Sequence, residues 1–258
     1  MSRMKRNSLL LVILLILMLG VVETAAAKKK KKQGPGEGLT EDELYQLAVQ
    51  KLEKKKTKAA RELLKDYQLR YPQGKYSIET KLGLADSYFM EKSIESKAEG
   101  LAEYRSFLTF YPRHPLACKA QFHVAQYYYH EMARPQRDQT NTRKAVEELQ
   151  KLLESYPECE YATRGKELLQ KARDRLSDSD FIVGTYYFRL KCYAAAAGRF
   201  EHLLKENPEY GGREEVYQHL CRAYRKLGEK EKAGYILEKL RADYPRSKYL
   251  RRLDKSAS

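Results

Sequence analysis

From Leu39 onward the apolar residues return every three or four positions rather than every second one, the spacing of helices that bury one face. Ala, Leu, Glu, Lys and Arg dominate this stretch and runs of β-branched residues are missing, so propensity and periodicity both predict helix. The N-terminal pattern is of another kind. Arg3, Lys5 and Arg6 precede an unbroken apolar run of 14 residues, Leu9 to Val22, followed by Ala25-Ala26-Ala27. A basic start, a short apolar stretch and small residues after it read as a secretory signal over 1–27. The run falls short of the ~17 apolar residues that a spanning helix normally needs, and an uncleaved anchor is the alternative. Lys28, Lys29, Lys30, Lys31 and Lys32 follow directly, a placement of charge that works against easy export. Residues 28–38 are expected to form a flexible Lys/Gly-rich linker with no means of packing, whose lysines make at most a peripheral contact with anionic head groups.

The helical body is periodic on a longer scale. Tyr-Pro pairs stand at Tyr71-Pro72, Tyr111-Pro112, Tyr156-Pro157 and Tyr244-Pro245, and Asn207-Pro208 fills the remaining slot. Twelve residues before each proline lies a small residue, Ala60, Gly100, Ala145, Ala196 or Ala233, and eight before it a larger apolar one, Leu64, Tyr104, Leu149, Phe200 or Leu237. This is the register of the second helix of a tetratricopeptide repeat. The small residue admits a close helix crossing, and the proline ends the helix because it lacks an N–H and restricts its predecessor. Leu47-Ala48, Leu84-Ala85, Val124-Ala125, Val183-Gly184 and Leu220-Cys221 give the matching first helices. The expected fold is an all-α solenoid over 39–254 with five helical hairpins at about 41–72, 78–112, 115–157, 160–208 and 212–245, and a tail at 255–258.

The basic unit is 37 residues, and the departures from it locate insertions. Three extra residues are expected in the turn near Lys92–Glu95, eight in Met132–Thr142, and fourteen after Pro157 that extend or add a helix before the fourth repeat. Stacked pairs of this kind enclose one continuous concave groove rather than a deep pocket.

Composition narrows the chemistry. Of the formal +15, the residues after position 32 carry 42 basic against 34 acidic groups, a net +8, which argues against a nucleic-acid partner. Phosphate-binding glycine loops, His-Glu-x-x-His and Gly-x-Ser-x-Gly are missing, so no catalytic, cofactor or metal site is expected, and no segment is left over for a catalytic domain. Cys118, Cys159, Cys192 and Cys221 permit three complete pairings, but none is close to another in sequence and a stacked repeat needs no staple, so no disulfide is expected.

What remains is the groove face of each first helix. It offers Tyr45, Val49 and Leu52 in the first repeat, Leu82, Asp86, Phe89 and Met90 in the second, and Phe122, Gln126, Tyr129 and His130 in the third. The last repeat offers Gln218, Arg222, Arg225 and Lys226, and residues 213–252 hold 12 Lys/Arg against 6 Asp/Glu. The apolar N-terminal half suits an extended peptide with large side chains. The cationic C-terminal half suits an acidic protein face, with Arg213 and Lys205 on its rim.

Two segments go beyond generic repeats. One is Ser106 to Pro115, with Phe110-Tyr111-Pro112-Arg113-His114-Pro115. The other is the loop Arg137-Asp138-Gln139-Thr140 leading into Lys144-Ala145-Val146-Glu147-Glu148-Leu149. With Tyr186-Tyr187-Phe188 and Tyr193 to Ala196 they resemble the BamD, or ComL, family of outer-membrane β-barrel assembly lipoproteins over roughly residues 40–250. The resemblance implies a non-enzymatic scaffold on the periplasmic side of the outer membrane. Its C-terminal repeats would dock on a POTRA domain of the barrel-forming subunit, and its N-terminal repeats would bind segments of unfolded barrel proteins. An exported repeat adaptor for envelope organisation or cell division is the alternative. The sequence departs from that family in having no Cys before Cys118, so N-terminal lipidation is not expected. Retention by protein contacts, or an N-terminal anchor in the inner membrane, would take its place.

Overall fold

The computed structural model of the protein describes residues 34–255, so the expected signal, Lys28 to Lys32 and residues 256–258 lie outside the described residues. Every regular element among the described residues is an α-helix. They are α1 (Glu41–Glu53), α2 (Thr57–Arg70), α3 (Ser77–Phe89), α4 (Ile94–Phe110), α5 (Ala117–His130), α6 (Thr140–Ser155), α7 (Ala162–Arg189), α8 (Tyr193–Glu206), α9 (Arg213–Leu227), α10 (Lys230–Asp243) and the short α11 (Leu250–Lys255). Each helix packs on the next, giving an all-helical, tetratricopeptide-like solenoid of paired helices.

Local sequence explains the boundaries. Thr40 and Glu43 form a reciprocal capping box at the start of α1, the Thr40 hydroxyl accepting from the Glu43 N–H while the Glu43 carboxylate accepts from the Thr40 N–H at 2.9 Å. α2, α4, α6, α8 and α10 each stop two residues before Pro72, Pro112, Pro157, Pro208 and Pro245. Ala60, Gly100, Ala145, Ala196 and Ala233 are buried, and so are Ala48, Ala85, Ala125, Gly184 and Cys221 on the facing helices. At Gly100 backbone meets backbone: a Cβ there would lie 3.0 Å from the backbone nitrogen of Phe89.

The insertions fall partly elsewhere than expected. The three extra residues near Lys92–Glu95 go mainly into the helix and hardly into the turn, which has four residues against three between α1 and α2; Ser93 caps the helix by accepting from the Ser96 N–H at 3.1 Å, and α4 grows to 17 residues against 14 in α2. The fourteen residues after Pro157 make α7 one continuous helix of 28 residues, with Ser177 to Asp180 inside it rather than at a break.

That long helix changes the architecture. Tyr161, before α7, stacks on Phe122 of α5, and Arg175 near the middle of α7 donates to the Ala133 carbonyl beyond the end of α5 at 3.0 Å. The turn after α8 returns to the same level: Asn207 donates to Asp174 at 2.9 Å and Tyr210 to Asp178 at 2.7 Å. The first half of α7 therefore belongs to α1–α6, and its second half to α8–α11. Fourteen residues of helix displace one block from the other by about 21 Å along α7. The buried clusters divide at the same place, none containing residues from both sides of the stretch between Leu169 and Phe181. The solenoid is stepped at α7.

Two further expectations need correction. The Gly34–Gly38 part of the linker packs: Arg70 donates to the Gly36 carbonyl at 2.6 Å and to the Leu39 carbonyl at 2.7 Å, and Gly36 is buried against Leu44 and Asp66, whose side chains would have to shift to admit a Cβ. Cys118 and Cys159 are joined by a disulfide with Cα atoms 6.4 Å apart, because the first turn of α5 and the turn after α6 lie at the same end of the stack. Cys192 is free and exposed; Cys221 is free and buried.

Candidate protein-binding surfaces

In the N-terminal block α1, α3, α4 and α5 surround an open cavity of about 330 Å³ lined by Leu52, Glu53, Asp86, Phe89, Met90, Tyr104, Lys119 and His123. Its walls are aromatic. The His123 ring stacks on Tyr104 with centroids 5.1 Å apart and lies 5.5 Å from Phe89. Its floor is a polar tie across three helices: Asp86 accepts from the Tyr104 hydroxyl and from Lys119 Nζ, both at 2.6 Å. Burial holds the His123 pKa below its ordinary value, against a smaller opposing pull from Asp86, so the imidazole is neutral at neutral pH. Burial raises the Tyr104 pKa well above the usual phenol value, and the Asp86 charge adds to it. The arrangement can receive an apolar or aromatic side chain against Phe89, Met90 and Leu52 while offering hydrogen bonds at its rim.

Of the groove residues named from sequence, Leu52 and Phe89 line this cavity. Tyr45 is half-buried and stacks on Tyr76 at 4.0 Å; Val49 and Tyr129 are half-buried as well. Leu82 and Phe122 are corrections: at 3% and 1% exposure they are core, and unavailable to a ligand. Lys119 was not foreseen, although it stands four residues before His123 on the same helix face.

The Arg137–Thr140 loop is internally satisfied. The Asp138 carboxylate accepts from the Thr140 N–H at 3.0 Å and from its hydroxyl, which lowers the Asp138 pKa. Gln139 is buried and donates to the Arg134 and Arg137 carbonyls at 2.8 and 2.9 Å, while Thr142 donates to its side-chain oxygen at 2.7 Å. Arg137 itself is exposed.

At the C-terminal end the five named cations separate into two groups. Arg222, Lys226 and Lys205 are exposed, with the Arg222 guanidinium 5.0 Å from the centre of the Phe188 ring. Arg213 and Arg225 turn inward, which corrects their assignment to a free basic surface. Arg213 pairs with Asp243 at 2.8 Å and donates to Tyr217, and Arg225 donates to the Leu253 carbonyl of α11 at 2.7 Å. Sequence reasoning missed the apolar partners of this surface: Tyr186, Leu190 and Leu227 are 55%, 54% and 38% exposed at the ends of α7 and α9. His219 sits among Phe181, Phe188 and Phe200 with Nδ1 unpartnered, and burial lowers its pKa to about 4.

No group of three or more His, Cys, Asp or Glu side chains is placed to hold an ion among the described residues. No described helix is long and apolar enough to cross a membrane. Three relatives share the description outer membrane protein assembly factor BamD. The protein of Caulobacter vibrioides is 24% identical over 190 residues, covering 74% of this chain and 61% of that protein. That of Neisseria meningitidis serogroup A is 25% identical over 219 residues, 81% of each. That of Vibrio cholerae is 28% identical over 169 residues, 62% of this chain and 69% of its own. The chain thus spans less than two thirds of the Caulobacter protein and about four fifths of the Neisseria one. Residues 38–240, most of the paired-helix solenoid, match the family model for YfiO, outer membrane lipoprotein, and the chain belongs to that family.

Proposed function

We propose that the protein is a non-enzymatic scaffold of outer-membrane β-barrel assembly, working on the periplasmic side of that membrane with five helical-hairpin repeats. In this reading the N-terminal block holds extended segments of unfolded barrel proteins, and the C-terminal block docks on the POTRA region of the barrel-forming subunit. The observation that carries it is the open aromatic cavity around Phe89, Tyr104 and His123, set in a chain whose relatives are described as assembly factors. The second surface fits a protein face with acidic and apolar character, because exposed Leu190, Leu227 and Tyr186 lie with Arg222 and Lys226 at the ends of α7 and α9.

The test is retrieval of the full chain from native membranes, with partners identified by mass spectrometry. A barrel protein bearing POTRA repeats should accompany it. Arg222→Glu combined with Lys226→Glu should weaken that association and reduce its salt dependence, whereas Met90→Asp should weaken only the capture of unfolded barrel segments. Recovery of cell-division or envelope-organising proteins in place of a barrel subunit would replace this reading with that of a different exported adaptor.

A further inference from the structure

A third surface lies where the turns of the first two hairpins meet. Glu91 ties the α1–α2 side to the α3–α4 turn, its carboxylate accepting from Thr57 at 3.1 Å, Arg61 at 2.8 Å and Ser96 at 2.7 Å. Beside that tie is an open depression of about 560 Å³ lined by Lys55, Lys56, Lys58 and Lys92, lysines that neither surface above uses. Ile94, two residues beyond Lys92, begins α4 and is 76% exposed.

The charge of these turns is one-sided. Residues 51–58 and 91–97 hold seven lysines against Glu53, Glu91 and Glu95. Glu91 is already committed to Arg61, so only two other carboxylates on these stretches are left to balance the lysines. None of the seven lysines forms an ion pair among the described residues, and Lys54, Lys55, Lys56, Lys58 and Lys92 are exposed. The described chain begins elsewhere: Gly34 lies beside Asp66, and the Gly36 carbonyl accepts from Arg70, towards the other end of α2. The folded body thus builds this basic face on its own, apart from the lysine run at 28–32.

We propose that this turn face rests on an anionic lipid surface, its lysines among the phosphate head groups and Ile94 at the edge of the acyl region. Lysines near such a surface are drawn to it one by one, and an exposed aliphatic side chain beside them gains by leaving water. The kind of cation favours lipid over an acidic protein. Lysine is a point charge on a flexible stem, suited to head groups spread over a plane, whereas the fork that grips a carboxylate in fixed geometry belongs to arginine. The one arginine here, Arg61, is occupied by Glu91. The proposal rests on the reading that the chain works beside a membrane, and not on which protein it assembles with.

The test uses the full chain carrying Ile94→Trp, which gives it a single tryptophan. The probes are phosphatidylcholine vesicles, phosphatidylcholine vesicles containing phosphatidylglycerol, and a blocked hexaglutamate peptide. Tryptophan emission should move to shorter wavelength on the phosphatidylglycerol vesicles and stay in place with the other two probes. Lys54→Gln, Lys56→Gln, Lys58→Gln and Lys92→Gln together should weaken the phosphatidylglycerol-vesicle affinity at least tenfold, with thermal unfolding unchanged. If that variant folds poorly, Lys58→Gln with Lys92→Gln should still give a severalfold loss. Replacing Lys28 to Lys32 by Gln should leave the emission shift at saturation intact. An unshifted tryptophan on vesicle-bound chain, equal shifts on both kinds of vesicle, or an affinity insensitive to the four lysines would overturn the assignment. So would a shift lost with Lys28 to Lys32 alone, and tighter binding of hexaglutamate than of the vesicles would give the face to an acidic protein instead. A failure here with a barrel subunit still retrieved would strike this face and leave the assembly reading standing.

Discussion

Lys55 and Lys191 hold φ of 54° and 62°, a left-handed backbone that L side chains adopt at a cost, and Gly228 takes the same role with φ 80°. The three turns are copies of one another. In each, the N–H of the following residue bonds five positions back, Lys56 to Lys51 at 2.8 Å, Cys192 to Tyr187 and Glu229 to Tyr224 both at 3.0 Å. Only the third uses the residue that suits the geometry. Lys191→Gly is therefore expected to stabilise the fold by roughly 0.5 kcal/mol, the relief of left-handed strain exceeding the added entropy of the unfolded chain. A higher urea midpoint checks it, and an unchanged or lower one would refute it. A second residue makes stability depend on acid. Glu91 accepts from Ser96 at 2.7 Å, Arg61 at 2.8 Å and Thr57 at 3.1 Å, and these bonds lower its pKa from 4.5 to about 2. A carboxylate whose pKa falls on folding stabilises fully above its unfolded value and loses that contribution as pH falls through the folded one. The wild type should lose stability between about pH 4.5 and 2 more steeply than Glu91→Gln, as read from urea midpoints across that window. Parallel pH profiles would show that Glu91 contributes nothing.

At the scale of helices, the spacing of Tyr-Pro pairs and small residues made the paired, all-helical architecture legible, because a close crossing demands a small side chain wherever it occurs. What the spacing could not resolve is whether an insertion enters a turn or a helix. Three residues went into α4 through the Ser93 cap, and fourteen into α7 with no interruption at Ser177-Asp178-Ser179-Asp180. Asn207 shows why the long helix closes well. It replaces the tyrosine of the other four Tyr-Pro pairs and is 3% exposed, and its amide bridges Asp174, Ser177 and Gln170 of α7. Tyrosine in that slot would have to fit a ring where α8 meets the polar middle of α7. Asn207→Ala should cost about 1–3 kcal/mol by leaving those partners unsatisfied in a buried site. Chemical denaturation gives the number, and a loss below roughly 0.5 kcal/mol would mean that water replaces the amide without penalty.

Over the whole molecule, the gradient from apolar to cationic residues was visible in the sequence, but the division of the chain at α7 was not. Nor could charge counting tell that Arg213 and Arg225 are spent on Asp243 and Leu253 while Arg222 and Lys226 stay outside. The disulfide was hidden for a similar reason: Cys118 and Cys159 are 41 positions apart, and only the return of the chain through α5 and α6 brings them together. Its place in one block gives a selective prediction. Loop-closure entropy for a ring of this size corresponds to about 4 kcal/mol, and native disulfides typically contribute about 2–4 kcal/mol. Cys118→Ser with Cys159→Ser should therefore destabilise the α1–α6 block and the first half of α7 by about that amount. The α8–α11 block has its own buried cluster, from Ala196 to Leu253, and should hold. Hydrogen exchange can separate the two, because each block reports its own opening. Faster exchange confined to residues 41–175 is the expected result. Equal acceleration in both blocks would mean that α7 couples them into one cooperative unit, and no change in either would mean that the two serines pack as well as the bridge.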